Sequence, residues 1–157
     1  MNADRSPSSH STRPTLFLDV MLGKLTTYLR MCGYDAASAR DRGIEDDDEI
    51  LKQSQEEDRT LITRDEQLSE RAENGVLLTS LDPTDQLREL DARGFDLSLS
   101  DPARCSSCNG TLVPERGKSP DHAPDGKRIW RCEDCGKRFW KGSHWESVER
   151  TLSDLKR

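Results

Sequence analysis

The sequence predicts an α/β protein: a parallel sheet with helices on both faces, followed by a small cysteine-rich module. Three observations lead there. Between residues 15 and 93, short apolar runs alternate with segments of helical periodicity, joined by connections of a few residues. Two of those apolar runs lead straight to an aspartate, as strands do when their carboxyl ends line a ligand crevice. After residue 100 the pattern stops, and four of the five cysteines appear as two Cys-x-x-Cys pairs.

The elements follow in order. The first fourteen residues are polar and Ser-rich, and are expected to form a disordered tail. Thr15-Leu16-Phe17-Leu18-Asp19-Val20 is apolar on both faces, which predicts a buried strand. Leu22, Leu25, Leu29 and Cys32 recur at helical spacing and stop at Gly33. A short strand is expected at 34–37. Asp46, Asp47 and Asp48 then put negative charge at the start of a helix carrying Ile50 and Leu51, which its dipole favours. Leu61-Ile62-Thr63 is the next strand and leads to Asp65; helix 66–73, strand 76–78 and a helix over 83–93, with Leu87 and Leu90 inward, complete the alternation. The expected organisation is therefore a tail at 1–14, an α/β domain at 15–100, a metal ribbon at 101–150 with a flexible Gly/Pro-rich loop over 114–126, and a terminal tail at 151–157.

Leu, Ile, Val and Phe number 29 of 157 residues, a thin core for a chain of this length. Asp outnumbers Glu 18 to 12 and Arg outnumbers Lys 17 to 7, a bias expected of a halophile, in which molar salt screens an acidic surface and strengthens apolar burial. The formal charge of −6 divides unevenly: residues 1–100 carry −9 and residues 101–157 carry +3. No apolar run approaches the roughly 18 residues of a membrane span, and the polar start is unlike a signal peptide, so the expected location is cytoplasmic, with no membrane partner. Five cysteines in such a chain argue for a metal site rather than a disulfide framework.

The two pairs, Cys105/Cys108 and Cys132/Cys135, supply four thiolates, the tetrahedral shell of a structural zinc site. Such a shell has no open position, so chemistry must lie elsewhere. Cys32, on a helical apolar stripe, reads as a core residue. Asp19 and Asp65 follow buried strands and are expected to meet at one edge of the sheet, where Mg²⁺ or Mn²⁺ would offset their repulsion. Metal-assisted phosphodiester hydrolysis is the chemistry such a cluster suits. For Asp46 and Asp47 the plainer reading is a solvated helix start.

Asp19 with Leu22-Gly23-Lys24-Leu25, then Leu29-Arg30-Met31-Cys32-Gly33-Tyr34-Asp35, then Leu61-Ile62-Thr63-Arg64-Asp65 together resemble the Mut-seven C-terminal RNase domain family, a PIN-like nuclease fold. The resemblance continues through Asp85-Gln86-Leu87, the first cysteine pair with Asn109-Gly110, and the second pair with the run from Phe139 to Trp145, covering about residues 15–150. It implies a divalent-metal-dependent ribonuclease completed by a zinc ribbon. Carried over by position, Asp19 and Asp65 are metal-binding and catalytic, and Asp48, directly before Glu49-Ile50-Leu51, is the candidate for the helix-start acid, with Asp46 and Asp47 as alternatives. Asp82 and Asp85 are both candidates for a fourth acid. Lys24 and Arg64, and less strongly Arg30, would contact phosphate; Thr27 stands where similar sequences tend to be basic.

Trp130, Phe139, Trp140 and Trp145 place half of the eight aromatics within sixteen residues, among Arg128, Arg131, Lys137, Arg138 and Lys141. Stacking faces interleaved with cations suit single-stranded RNA, and Lys141, His144 and Trp145 are the candidate contacts. The competing reading makes these aromatics the packing of a small ribbon, with Trp130 and Phe139 its core and His144 a structural histidine. For the whole chain, the principal reading is a metal-dependent ribonuclease. The rival is a non-catalytic zinc-ribbon RNA-binding or adaptor protein.

Overall fold

The computed structural model describes residues 13–99, 101–115 and 128–155. Residues 1–12 of the expected tail and 116–126 of the expected loop lie outside these. Four short strands, β1 (Leu16–Leu18), β2 (Ala36–Ser38), β3 (Thr60–Thr63) and β4 (Gly75–Leu77), form one sheet in the order β2-β1-β3-β4, every pair parallel. Between them lie α1 (Gly23–Met31), α2 (Ala39–Arg42), α3 (Asp47–Glu56) and α4 (Glu66–Arg71), and α5 (Pro83–Ala92) follows β4. The fold is thus the α/β arrangement expected, with one short helix, α2, that the sequence reading lacked.

Strand order dictates which helix covers which face. The chain moves from β1 to β2 in one direction, then back across β1 to β3 and on to β4. Right-handed crossovers taken in opposite directions put their helices on opposite faces. Accordingly Leu16, Leu18, Ile62 and Val76 pack on one side with Leu25 and Leu29 of α1 and Leu87 and Leu90 of α5. Phe17, Ala37 and Leu61 point to the other, against Ile50 and Leu51 of α3 and Leu68 of α4. The alternation of 16, 17 and 18 is the period of two of an extended strand buried on both faces. Cys32 is buried in the first of these clusters. Helix starts are set by short polar side chains: Asp46 accepts from Glu49 N–H at 3.2 Å, Asp65 from Leu68 N–H at 3.1 Å and Asp82 from Thr84 N–H at 2.8 Å.

The C-terminal module is a three-stranded antiparallel sheet, β5 (Leu112–Pro114), β6 (Trp130–Cys132) and β7 (Arg138–Phe139), followed by α6 (Ser143–Asp154). Helix α6 was not anticipated, and it passes through the expected boundary at 150/151. Its Val148 and Leu152, with Leu155, enter the core beside α1 and α5, so α6 is anchored on the α/β body. Their spacing of four and three is the signal that sequence reading had passed over.

Arg30 ties the two parts together. Its side chain is 3% exposed; Nε donates to Ala36 O at 2.9 Å, Nη1 to Ser106 O at 3.2 Å and Nη2 to Asp41 Oδ2 at 3.0 Å. This is a structural guanidinium, engaged on all sides, and not the phosphate contact considered for it. Beside it Asn109 accepts from Ala36 N–H at 2.9 Å and donates to Asp35 Oδ1 at 2.8 Å, which closes the free edge of β2. Removing a buried, paired charge strands its acceptors, so Arg30→Ala is expected to cost roughly 3 kcal/mol in denaturant unfolding. A loss below about 1 kcal/mol would contradict this role.

Nearer the surface, Glu57 accepts from Arg42 Nη1 at 2.7 Å and from Arg59 Nε at 2.7 Å. The Arg42 contact, with Arg59 in support, holds the Glu57 carboxyl down to about 2 from an ordinary 4.5, against the opposing effect of burial. A group made more acidic by folding stabilises the fold above its unfolded pKa, and the benefit disappears as pH falls through the folded one. Glu57→Gln should therefore lower the melting temperature at neutral pH, and the gap from wild type should close between pH 4.5 and about 2.

Candidate functional site

The site is built at the carboxyl edge of the sheet, where β1 and β3 lie side by side and the strand order reverses. Asp19 follows β1 and its N–H donates to Ile62 O at 3.1 Å, continuing the pairing by one residue. Asp65 caps α4 just beyond β3. Thr63 joins them: its hydroxyl donates to Asp19 Oδ2 at 2.7 Å and accepts from Asp65 N–H at 3.0 Å. Asp19 Oδ1 is held by Val20 N–H at 2.7 Å. Thr63 is fully buried, and the sequence reading treated it only as part of a strand.

The three acids at the start of α3 part company. Asp46 is spent as the cap of the helix. Asp48, the position expected to supply the third acid, pairs with Arg71 of α4 at 2.5 Å. At Asp47, slight burial, then the charges of Asp65 and Asp19, push the carboxyl above its ordinary value. Asp48, the expected third acid, is thus engaged by Arg71, and of its two alternatives Asp47 is the one whose carboxyl feels the strand-end acids. Of the two candidates for a fourth acid, Asp82 caps α5 and Asp85 pairs with Arg88 at 2.8 Å.

Carboxylate oxygens are the hard donors that Mg²⁺ and Mn²⁺ take, so Asp19, Asp65 and Asp47 fit such an ion by donor chemistry. They are not drawn together tightly: among the described residues, the only group of three or more candidate ligands within 4.8 Å of one another is Cys105, Cys108, Cys132 and Cys135. There the fit to zinc is also geometric. Four sulfurs about 2.3 Å from a central zinc lie about 3.8 Å apart, and the Cys105–Cys135 and Cys108–Cys132 sulfurs are separated by 3.7 and 3.5 Å. Burial pushes the Cys108 thiol up to about 12. At Cys132 the same effect is outweighed by the N–H groups of Cys135 and Asp134, each 3.4 Å from its sulfur, which hold it near 7.

A family model described as "Mut7-C RNAse domain" matches residues 14–152, spanning the acids, the cysteine pairs and most of α6. The chain belongs to this family. No curated protein and no solved structure matches it. The family description points to a nuclease-type function with RNA as the class of substrate.

Two depressions lie on the Mut7-C domain near these sites. A groove along α1 includes Lys24, Thr27, Ser38, Arg40 and Ser106. Ser106 also lines a cavity of about 290 Å³ walled by Phe139, Trp140 and Trp145, with His144 in the first turn of α6. Trp130 and Phe139 pack in the ribbon core with Leu112. Lys141 lies with its ammonium 5.3 Å from the Trp145 ring centre and 2.8 Å from Asp101. Arg64, between Thr63 and Asp65, has a buried Nε with no hydrogen-bond partner among the described residues.

Gly110 leaves room for the metal shell, since a Cβ there would stand 2.7 Å from Cys132 Sγ and 2.6 Å from Asp134 Oδ2. Gly110→Ala should weaken zinc binding by tenfold or more, read by competition with a chromogenic chelator. Stripping the metal should also lower the melting temperature of the Mut7-C domain, because binding free energy at such sites is folding free energy. Retention of full zinc affinity by the alanine variant would show that the Asn109-Gly110 turn can move aside.

Proposed function

We propose that this Mut7-C domain is a divalent-metal-dependent ribonuclease acting on single-stranded RNA in the cytoplasm, with Asp19, Asp65 and Asp47 as its catalytic carboxylates. The observation that carries the reading is the Asp19–Thr63–Asp65 hydrogen-bond chain at the point where strand order reverses, with the Asp47 charge beside it. Thr63 fixes one oxygen of Asp19 and Val20 N–H the other, so the carboxylate is oriented before any ion arrives. Bound there, Mg²⁺ or Mn²⁺ would lower the pKa of water and offset charge on the scissile phosphate. The chain itself contributes position and charge. Lys24, in the first turn of α1, and Arg64, between Thr63 and Asp65 in the chain, serve as phosphate contacts. Lys141, His144 and Trp145 engage the strand farther along. The four-cysteine zinc is structural, its shell closed by protein sulfur, and a reducing compartment suits those thiols.

The deciding experiment is Mn²⁺-dependent cleavage of a single-stranded RNA by wild type and by Asp→Asn variants. Asp19→Asn and Asp65→Asn should lose roughly a hundredfold or more in rate, equivalent to the several kcal/mol that a correctly held ion contributes. Asp47→Asn should fall much further than Asp48→Asn, which removes only an ion pair with Arg71. The reverse ranking would restore Asp48 to the site. RNA binding without cleavage under any divalent metal would replace the ribonuclease with the adaptor reading.

A further inference from the structure

We propose that the aromatic cavity between the ribbon and α6 is a single-nucleobase subsite, which receives one unstacked base of the RNA strand a few nucleotides from the phosphate at the acids. The proposal rests on the ribonuclease reading for its strand, but not for its site. The cavity measures about 290 Å³, at the lower end of small-molecule sites, enough for one flat heterocycle rather than a peptide helix. Its walls come from three parts of the fold: Met31 at the end of α1, Leu112 and Phe139 of the ribbon, and Trp140 and Trp145 around the start of α6. Mostly apolar walls with a few polar groups, here Ser106, Arg104 and His144, are what a base requires: faces to stack on and edges to bond.

The indoles are placed by backbone. Gly142 N–H donates to Trp140 O at 3.0 Å, and a Cβ on Gly142 would stand 3.0 Å from Trp140 Nε1, so the ring lies directly against the chain where α6 begins. Trp145 carries the Lys141 ammonium at 5.3 Å on its ring. Neither tryptophan is fully buried, unlike Trp130 in the ribbon core. Both keep part of their surface exposed.

An RNA strand is favoured over another apolar occupant by what joins the cavity to the acids. Ser106 belongs to both the cavity and the groove lined by Lys24, Thr27 and Arg40, and that groove starts where α1 starts, four residues after Asp19. The path runs along α1 from Gly23 to Met31, roughly 12 Å at 1.5 Å per residue. Lys24 and Arg40 give it positive charge, since the acid in its lining, Asp41, is paired with Arg30; that matches a polyanion threading between the two sites. At the cavity itself the cations are already committed: Arg138 bonds Glu115 at 3.0 Å, Arg104 lies 3.7 Å from Asp35, and Lys141 bonds Asp101. Binding there must come mainly from stacking. It should therefore persist at salt concentrations that weaken the phosphate contacts of the groove.

The test uses the full chain with zinc bound and the Asp19→Asn change, so that binding is read without cleavage. Dissociation constants are measured by fluorescence anisotropy for a labelled ten-nucleotide oligoadenosine and for an abasic ribose-phosphate chain of the same length. Trp145→Ala should weaken oligoadenosine binding about tenfold, scarcely affect the abasic chain, and leave the salt slope unchanged. Trp145→Phe should recover most of the loss. His144→Glu, at an exposed position on the rim, supplies a second variant that does not disturb the core, and should weaken oligoadenosine binding several-fold. Equal losses for the two chains in both variants, or no loss in either, would overturn the subsite. If the base-dependent loss appears while wild type cleaves nothing, the subsite stands and the ribonuclease reading falls. Cleavage by wild type with no base-dependent loss has the opposite meaning.

Discussion

Arg30 carries a positive charge into a place where almost no water reaches, and that charge is tolerable only because three acceptors from different parts of the chain surround it. Ala36 O belongs to the edge strand, Asp41 to the short helix after it, and Ser106 O to the first cysteine turn. A guanidinium on α1 thus fixes how the zinc ribbon sits against the α/β body. Asn109, held in a left-handed turn at φ 73°, repeats the arrangement from the ribbon side through Ala36 N–H and Asp35. The aromatic cavity lies between the ribbon that these two side chains hold and α6, which packs on the body through Val148 and Leu152. The desolvation of Arg30 is a cost that its partners offset, and the return is a defined orientation between two modules.

A second dependence runs through the sheet. Because β1 and β3 are neighbours while their crossover helices lie on opposite faces, the loops after them diverge and leave a crevice at the carboxyl edge. The buried hydroxyl of Thr63 spans it, satisfied by Asp19 on one side and the Asp65 backbone on the other. Like charges at one edge repel one another, and at Asp47 slight burial, then the charges of Asp65 and Asp19, push the carboxyl above its ordinary value. Charge of the same sign elsewhere on the chain is spent differently, in helix caps at Asp46 and Asp82 and in ion pairs at Asp48 and Asp85. The net charge of −6 therefore conceals several distinct local roles.

Much of the fold could be read from the residues alone because its signals are local. Alternating apolar runs located the four parallel strands to within two or three residues, and Leu22, Leu25 and Leu29 announced α1. The two Cys-x-x-Cys pairs anticipated four thiols at zinc spacing, and Asp19 and Asp65 at strand ends anticipated carboxylates on one edge. Less legible was α6, whose Val148, Leu152 and Leu155 are set among polar and charged residues and gain their meaning only by packing on α1 and α5. Arg30 was equally opaque, since a basic residue in an RNA-directed domain looks like a phosphate contact until its acceptors are seen.

What the sequence determined by itself was therefore the succession of elements, the chemistry of the cysteine turns and the presence of acids where strands end. These depend on side-chain period, turn geometry and residue type, all settled within a few positions along the chain. Tertiary structure alone decided that Arg71, on another helix, pairs with Asp48 while Asp47 feels the charges of Asp65 and Asp19, because one step along a helix turns a side chain by about 100°. It alone brought Trp140 and Trp145 to the end of the α1 groove. Both outcomes come from contacts between residues distant in sequence, where no local pattern records which partner is reached.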